Sequence, residues 1–211
     1  VSDMNPSLIN LYKVVGSSAY GQLQSLIDGY KLLTGEYLEE AFYAARDVIN
    51  NPQDELVWAA SFIMVRQQCF SGMERYNKSG KFNVPWGRYK SFKCNLSTDH
   101  HEFFKHSDIR LQDAVEVIAE ATPSDFIFLD PPYLDRLGYI DGDGSDGLHT
   151  RLADALSKTS APFLLIHSDC SFYRDAYSGF TVDEKAFKYS QQFKGREMKQ
   201  NNVVHLYVHN R

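Results

Sequence analysis

The stretch Phe126-Ile127-Phe128-Leu129-Asp130-Pro131-Pro132-Tyr133 decides which fold the sequence predicts. Its first four residues are aromatic or aliphatic, a run that is typical of a buried parallel strand. The two prolines end that strand because a proline nitrogen has no hydrogen to donate to a neighbouring strand. Side chains that bind ligands in α/β sheets collect at the carboxyl ends of the strands, so the four residues Asp130, Pro131, Pro132 and Tyr133 form a candidate site.

These four residues suit one particular chemistry. The Asp130 carboxylate can accept one hydrogen bond from an exocyclic amine on a planar ring, and the carbonyl before or within the Pro131–Pro132 pair can accept the other. Tyr133 can stack on the face of that ring. With both hydrogens held, the nitrogen lone pair leaves conjugation and becomes nucleophilic. The alternative is an ordinary strand-to-loop turn, since Asp and Pro are common turn residues.

The composition indicates a globular chain with one domain and an insertion. Of its 211 residues, 43% are hydrophobic and 14% aromatic, which is enough to bury a sizeable core. No apolar run reaches the roughly 18 residues of a membrane helix, and no signal peptide is visible, so we expect a cytoplasmic protein. Cys69, Cys94 and Cys170 have no paired spacing, which favours reduced thiols.

Basic residues are concentrated locally in a chain whose net charge is -5. A protein this acidic needs such a patch in order to bind a polyanion. Between Met73 and Cys94 the only acid is Glu74, and the basic residues are Arg75, Lys78, Lys81, Arg88, Lys90 and Lys93. A second cluster comprises Lys185, Lys188, Lys194, Arg196 and Lys199. Such runs fit either a solvated face or a nucleic-acid surface.

The first residues predict a strand end followed by a helix. Asn5 can cap a helix that has Pro6 at its first position and an apolar stripe from Leu8 to Tyr12. Asp3 then lies at the end of a strand, where an acid binds ribose hydroxyls in nucleotide-binding folds. The alternative is an acid that is favoured near a helix N-terminus by the macrodipole.

The middle of the chain changes character near residue 70. Residues 19–70 have helical periodicity, with breaks at Gly35 and Asn51-Pro52, and predict a helical insertion. From Ser71 to Lys90, basic, amide and aromatic residues alternate around the turn signature Asn77-Lys78-Ser79-Gly80, which predicts a β-hairpin. Such a hairpin suits DNA, with Lys and Arg on phosphates and Arg or Asn on base edges.

The remaining segments alternate between strand and helix patterns. A strand ends near Asp113, an acid that can also serve simply as the cap of the helix over 114–121. A helix is predicted over 148–157, a buried strand over 162–168, and a closing antiparallel pair over 180–187 and 203–208. This alternation predicts a mainly parallel sheet with helices on both faces.

Three of these segments together resemble the Dam-type, or D12-class, N6-adenine DNA methyltransferases. Asp3–Tyr12 is similar to the segment after the family's second cofactor strand, Arg75–Lys90 to its target-recognition hairpin, and Asp130–Tyr133 to its catalytic Asp-Pro-Pro-Tyr motif. The three also occur in the family's order. The resemblance therefore covers essentially the whole chain.

The resemblance implies an α/β fold, with a Rossmann-like methyltransferase sheet and a helical and β-hairpin target-recognition insertion. It implies a catalytic domain at 1–18 and 106–211 and a recognition domain at 19–105, with the basic hairpin at 73–94. The implied reaction is methyl transfer from S-adenosylmethionine to a flipped adenine in double-stranded DNA. The implied catalytic residues are Asp130, Pro131, Pro132 and Tyr133, the cofactor contacts Asp3, Asp113, Ala114 and Asp130, and the DNA contacts Arg75, Tyr76, Asn77, Lys78, Lys81, Asn83, Arg88 and Lys90.

The chain departs from the family's pattern at its start. The N-terminal strand and the Phe-x-Gly-x-Gly loop that wraps the methionine part of the cofactor do not occur before Asp3. The alternative function is therefore a catalytically inactive or incomplete DNA-binding or accessory module. Cytosine N4, RNA or a protein amide stay open as acceptors, although the basic hairpin favours duplex DNA. We expect a monomer of bacterial or phage origin.

Two further motifs fit other functions poorly. Gly142–Gly147 matches Gly-x-Gly-x-x-Gly, but it follows the Asp-Pro-Pro-Tyr turn and its aspartates would repel a phosphate, which favours a lid over the flipped base. His101 and His106 are five residues apart, which places their rings about 140° apart around a helix. We therefore predict no metal site.

Overall fold

The computed structural model describes residues 1–134, 147–190 and 200–211. These residues form two compact units, Val1–Asp113 and Ala114–Arg211. The predicted division into a catalytic and a recognition domain concerns roles rather than compactness, and it stays a prediction. The predicted lid, Gly142–Gly147, lies outside the described ranges except for Gly147. Lys194, Arg196 and Lys199 of the second basic cluster also lie outside them.

The first unit is mainly helical. Its elements are β1 (Ser2–Asp3), α1 (Pro6–Gly16), α2 (Tyr20–Lys31), α3 (Gly35–Asn50), α4 (Glu55–Gln68), a 3-10 turn (Phe70–Gly72), α5 (Thr98–Lys105) and β2 (Arg110–Leu111). β1 and β2 pair in parallel, with Ser2 opposite Arg110 and Asp3 opposite Leu111. The helical periodicity predicted over residues 19–70 is thus present as three helices, α2 to α4.

Local signals set the limits of these helices. The Asn5 side chain accepts hydrogen bonds from the Ser7 and Leu8 amides at 3.0 and 3.3 Å, which confirms it as the cap of α1. Gly35 begins α3 at a φ of +56°, a conformation that glycine adopts more readily than residues with a Cβ atom. Asp54 caps α4 by accepting from the Val57 amide at 2.8 Å.

The core of the first unit is made of side chains that recur at helical spacing. Leu23 and Ile27 of α2, Leu38 and Phe42 of α3, and Met64 of α4 are fully buried together. Burial of each such side chain contributes about 1.5–3 kcal/mol. Leu26 of α2 lies outside this core and is 37% exposed.

The second unit carries the larger sheet. Its elements are α6 (Ala114–Glu120), β3 (Ile127–Leu129), α7 (Leu148–Lys158), β4 (Phe163–Ser168), α8 (Ser171–Ala176), β5 (Thr181–Ser190) and β6 (Gln200–His209). The strand order is β3-β4-β6-β5, parallel between β3 and β4 and antiparallel elsewhere. The closing antiparallel pair is confirmed, but the four-stranded sheet is mixed rather than mainly parallel.

The burial predicted for the strand before the Asp-Pro-Pro-Tyr turn is wrong for half of its residues. β3 lies at the end of the strand order, and Phe126 and Phe128 are 65% and 60% exposed. Ile127 and Leu129 pack against the core that surrounds Phe163. Successive side chains of a strand point to opposite faces, so only one face of β3 is covered by described residues.

Two findings bear on the class of protein. Among the residues that the structure describes, every helix is too short or too polar to cross a bilayer. Cys69, Cys94 and Cys170 are all free thiols, as their spacing predicted.

Candidate functional site

The Asp-Pro-Pro-Tyr turn presents its acid to solvent. β3 ends at Leu129, so Asp130 is the first residue beyond its carboxyl end. Its side chain is exposed and forms no ion pair with any described residue. A carboxylate in this state is available to accept hydrogen bonds from a ligand, whereas one neutralised by a cation in the core would be structural.

Tyr133 is half-buried and packs between two histidines. Its hydroxyl lies 3.3 Å from Nδ1 of His205 on β6, and its ring centroid lies 5.6 Å from that imidazole. His167, near the end of β4, lies 4.9 Å away between ring centroids, at 63°. The turn is therefore supported by the two strands that follow β3 in the sheet.

A buried aromatic cluster continues from these histidines into the core. His167 stacks on Tyr173 of α8 with centroids 3.8 Å apart, and His149 Nδ1 lies 2.6 Å from the Tyr173 hydroxyl. Burial first, and then the nearby His167, lower the pKa of His149 to about 4. Burial also raises the pKa of Tyr173 far above its ordinary value. Both groups are therefore neutral at physiological pH.

The acids predicted to contact a cofactor lie at one end of the parallel pair in the first unit. Asp3 is the last residue of β1, and Asp113 lies two residues beyond β2. Because the strands are parallel and Asp3 is opposite Leu111, both acids lie at or just beyond the carboxyl ends of their strands. Asp3 Oδ1 accepts from the Asn5 amide at 2.6 Å, which fixes the carboxylate next to the start of α1. Ala114 begins α6 directly after Asp113.

A cavity of about 410 Å³ opens in the first unit beside α1. Leu8, Leu11 and Tyr12, the apolar stripe predicted for α1, line part of it, and Leu11 also packs against the core of the first unit. The buried residues of α1 are Ser7, Ile9, Asn10, Val14 and Val15. The rest of the cavity lining comes from Asn5, Phe62, Ile63, Arg66, Gln67, Glu74, Cys94, Asn95 and Leu96. Its volume falls in the range of small-ligand sites.

The predicted hairpin is present as a short, tight turn. Tyr76 and Phe82 form a bridge, and the Asn77 amide donates to the Lys81 carbonyl at 2.9 Å. The Asn77 side-chain oxygen accepts from the backbone amides of Ser79 and Lys81, both at 3.0 Å. The Asn77 side-chain oxygen therefore has a structural role in the turn.

The basic side chains of the hairpin are exposed. Lys78, Lys81, Arg88 and Lys90 all belong to this exposed set. Arg75 is exposed as well, and its guanidinium donates to the side chain and carbonyl of Asn83 at 2.8 and 3.2 Å. The hairpin thus presents several exposed cations, with Arg75 held in a defined orientation.

The hairpin is tied to the helices by polar contacts that the sequence did not indicate. Asn50 of α3 donates to the Phe82 carbonyl at 3.0 Å and accepts from the Phe82 amide at 2.7 Å. Glu74 accepts from Asn5 Nδ2 at 3.1 Å and from the Tyr76 hydroxyl at 2.9 Å. Burial and Glu74 raise the pKa of Tyr76, so this half-buried side chain supports the hairpin from within.

The structure brings the predicted residues into three groups. One is the acidic end of β1 and β2, one is the hairpin, and the third is the turn from Asp130 to Tyr133. The first two belong to the first compact unit and the third to the second. The supporting side chains His167, His205, Glu74 and Asn50 were missed because no local pattern distinguishes a supporting histidine, acid or amide from a solvated one.

The His101 region forms a helix without a metal cluster. His101 Nδ1 lies 2.7 Å from the Val15 carbonyl, and its ring stacks on Tyr20 at 4.6 Å. No group of three potential ligands that could hold a metal occurs among the described residues. His101 therefore packs α5 against its neighbours.

Comparison with known proteins gives a consistent picture. The family described as D12 class N6 adenine-specific DNA methyltransferase matches residues 1–191. The chain is 32% identical to the type II methyltransferase M.CviBI of Paramecium bursaria Chlorella virus NC1A, a match that covers 100% of this chain and 80% of that protein. It is also 32% identical to the type II methyltransferase M.MjaIII of Methanocaldococcus jannaschii, with 100% and 79% covered. The DNA N-6-adenine-methyltransferase of Escherichia phage P1 is 32% identical over 92% of this chain and 27% of its own length.

Proposed function

This chain belongs to the D12 class of N6-adenine-specific DNA methyltransferases, and from that premise we propose that Asp130, Pro131, Pro132 and Tyr133 carry out the transfer. The observation that supports these residues most directly is the exposed Asp130 carboxylate just beyond β3, which forms no ion pair with any described residue. It is accompanied by a tyrosine ring that packed side chains hold in place. An acid and a ring in this arrangement can bind an aminopurine, the acid by a hydrogen bond and the ring by stacking.

The reaction requires the adenine to leave the duplex, because N6 cannot be approached in line within the stack. Tyr133 stacks on the flipped base and offsets part of the unstacking cost. Asp130 and the Pro131 carbonyl each accept one N6 hydrogen. The N6 lone pair would then be free to attack the methyl carbon that a bound S-adenosylmethionine would supply, with its thioether as the leaving group. N6 would release its proton to Asp130 or water. Asp130 need not be a strong base, since N6 becomes acidic only as the methyl group is transferred.

S-adenosylmethionine is the cofactor that we propose, since it supplies an electrophilic methyl group on a sulfonium. Asp3 and Asp113 fit its nucleoside, because carboxylates at the ends of two adjacent parallel strands can accept hydrogen bonds from hydroxyls and an amine. Asp3 retains acceptor capacity beyond its hydrogen bond with the Asn5 amide. The backbone amide of Ala114 is a further candidate donor to the adenine ring.

Duplex DNA is the proposed partner of the hairpin. Lys78 and Lys81 are exposed and suit phosphates, which fix position without reading sequence. Arg75 is oriented by Asn83 and suits a base edge, because an ordered guanidinium can donate to guanine through two hydrogen bonds. Arg88 and Lys90 extend the basic surface.

The test is a methylation assay with the full chain. Unmethylated genomic DNA is incubated with radiolabelled S-adenosylmethionine and digested to nucleosides, and we expect label in N6-methyladenine. Asp130→Ala and Tyr133→Ala should abolish transfer, because each removes one of the groups that hold the base. Asp154→Asn, which removes an exposed acid paired with Lys158, is the matched control and should retain activity.

Three results would contradict this proposal. Label in N4-methylcytosine would change the acceptor. DNA binding without any transfer by the natural chain would instead support an accessory module. Retained transfer in Asp130→Ala would remove the proposed role of the carboxylate.

A further inference from the structure

Tyr133 and the residue after it are held by a histidine that is distant in sequence. The Leu134 backbone amide donates to Nε2 of His167 at 3.1 Å, across 33 residues of sequence. The same imidazole packs edge-on against the Tyr133 ring at 4.9 Å. His167 therefore contacts the turn in two ways, through the backbone and through the ring that would stack on a base.

The hydrogen bonds of His167 fix a single tautomer. Its Nδ1 lies 2.7 Å from the Ser168 carbonyl, and a carbonyl oxygen can only accept, so Nδ1 carries the proton. Nε2 of a neutral ring is then an acceptor, which is what the Leu134 amide requires. The side chain is fully buried and stacks on Tyr173 with planes 10° apart. Rotation of the ring would break both hydrogen bonds and the stack.

The two prolines make this anchor important. Pro131 and Pro132 restrict φ at two positions, but neither has an N–H with which the turn could be tied to the sheet. The Leu134 amide is the donor that the structure uses just beyond them. His205 adds a contact at the other end of the Tyr133 side chain, 3.3 Å from its hydroxyl. Backbone and phenol are thus both held by β4 and β6.

We propose that His167 is a positioning residue for methyl transfer, which sets the orientation of Tyr133 against the flipped adenine, with His205 holding the phenol. This inference rests on the proposed function of the Asp-Pro-Pro-Tyr turn and adds a residue to it. A site of this kind has to be held to within a fraction of an ångström by locked neighbours, because misorientation of the stacked base misaligns N6.

Two substitutions separate positioning from packing. His167→Phe keeps a ring that can stack on Tyr173 but removes both nitrogens. His167→Gln loses the ring but can place Oε1 where it accepts from the Leu134 amide. If His167 acts only through packing, His167→Phe should transfer the methyl group faster than His167→Gln. If His167 positions the turn, His167→Gln should be the faster variant.

The first measurement is single-turnover methylation of unmethylated genomic DNA. We expect the rate of His167→Phe to fall about tenfold or more, as removal of a buried hydrogen-bond partner implies, with unchanged DNA affinity. The rate of His167→Gln should be closer to that of the natural chain although its melting temperature is lower. Rates that follow the melting temperatures, with His167→Phe at the natural rate, would overturn the inference.

The second measurement needs no catalysis. Fluorotyrosine is incorporated and the ¹⁹F signal of Tyr133 is assigned by its loss in Tyr133→Phe. The signal should shift and broaden in His167→Phe but not in His149→Phe, since His149 bonds to Tyr173 rather than to the turn. An unmoved Tyr133 signal would refute positioning even in an inactive chain. A natural chain that methylates no DNA would refute the proposed function alone.

Discussion

His149 shows at the scale of one residue how burial controls protonation in the second unit. It is 6% exposed, and its ring lies 5.5 Å from that of His167. A charge on either imidazole would be poorly solvated and would oppose a charge on the other. The lowered pKa of about 4 therefore couples protonation of His149 to unfolding.

We predict that the free energy of unfolding falls as the pH is lowered from about 6.5 to about 4, the range over which this histidine is protonated only in the unfolded chain. An unfolded histidine has a pKa near 6.5, so below that pH the unfolded chain binds a proton that folded His149 does not bind until about pH 4. The contribution is fully present above pH 6.5 and is lost as the pH falls to 4, amounting to about 3 kcal/mol. Urea unfolding across this range measures it. The dependence of the unfolding free energy on pH should be weaker in His149→Phe. An unchanged dependence in that variant would contradict the assignment to His149.

At the scale of the element, one acid links the hairpin to two helices. Glu74 is bound by Asn5 at the start of α1, by Tyr76 in the hairpin, and by Arg66 of α4 at 2.6 Å. Its side chain is only 22% exposed. A partly buried carboxylate with three donors aligns the hairpin with both helices.

We predict that Glu74→Ala loosens the hairpin. The substitution leaves two half-buried donors and the Arg66 cation without their acceptor, which should cost roughly 1–3 kcal/mol of unfolding free energy. Glu102→Ala is the control, because that acid is 56% exposed and its pairing with Lys105 should contribute little. Chemical denaturation measures both variants. Equal stability of the two would show that the Glu74 contacts do not support the fold.

At the scale of the whole molecule, the proposed DNA-binding hairpin and the proposed catalytic turn belong to different compact units. The basic hairpin belongs to Val1–Asp113, and the Asp-Pro-Pro-Tyr turn belongs to Ala114–Arg211. The chain as a whole carries a net charge of -5, so its attraction to DNA has to come from local cations. Affinity and transfer should therefore respond to different substitutions.

We predict that replacing both Lys78 and Lys81 by Ala weakens DNA binding for all sequences. Loss of two phosphate contacts should reduce the slope of log affinity against log salt by about 2. Lys158→Ala removes a lysine that is paired with Asp154 and should leave the slope unchanged. Fluorescence anisotropy over a salt series tests this, with Asp130→Ala expected to keep its affinity. Loss of DNA binding in Asp130→Ala would show that the two functions are not separable.

The sequence alone determined the features that depend on neighbouring residues. Asn5 and Pro6 specified the start of α1, Asn77 to Gly80 specified the hairpin turn, and the Pro-Pro pair specified the end of β3. Caps, turns and strand ends depend on side chains a few positions apart, so their patterns are legible in the chain. The family motifs were readable for the same reason.

Only the tertiary structure decided what holds those features in place. Tyr133 meets His205 across 72 residues, and Asn5 meets Glu74 across 69. The exposure of Phe126 and Phe128 likewise depends on which elements cover β3, not on the residues of the strand itself. Contacts between distant positions are set by how helices and strands pack, and no spacing along the chain encodes them.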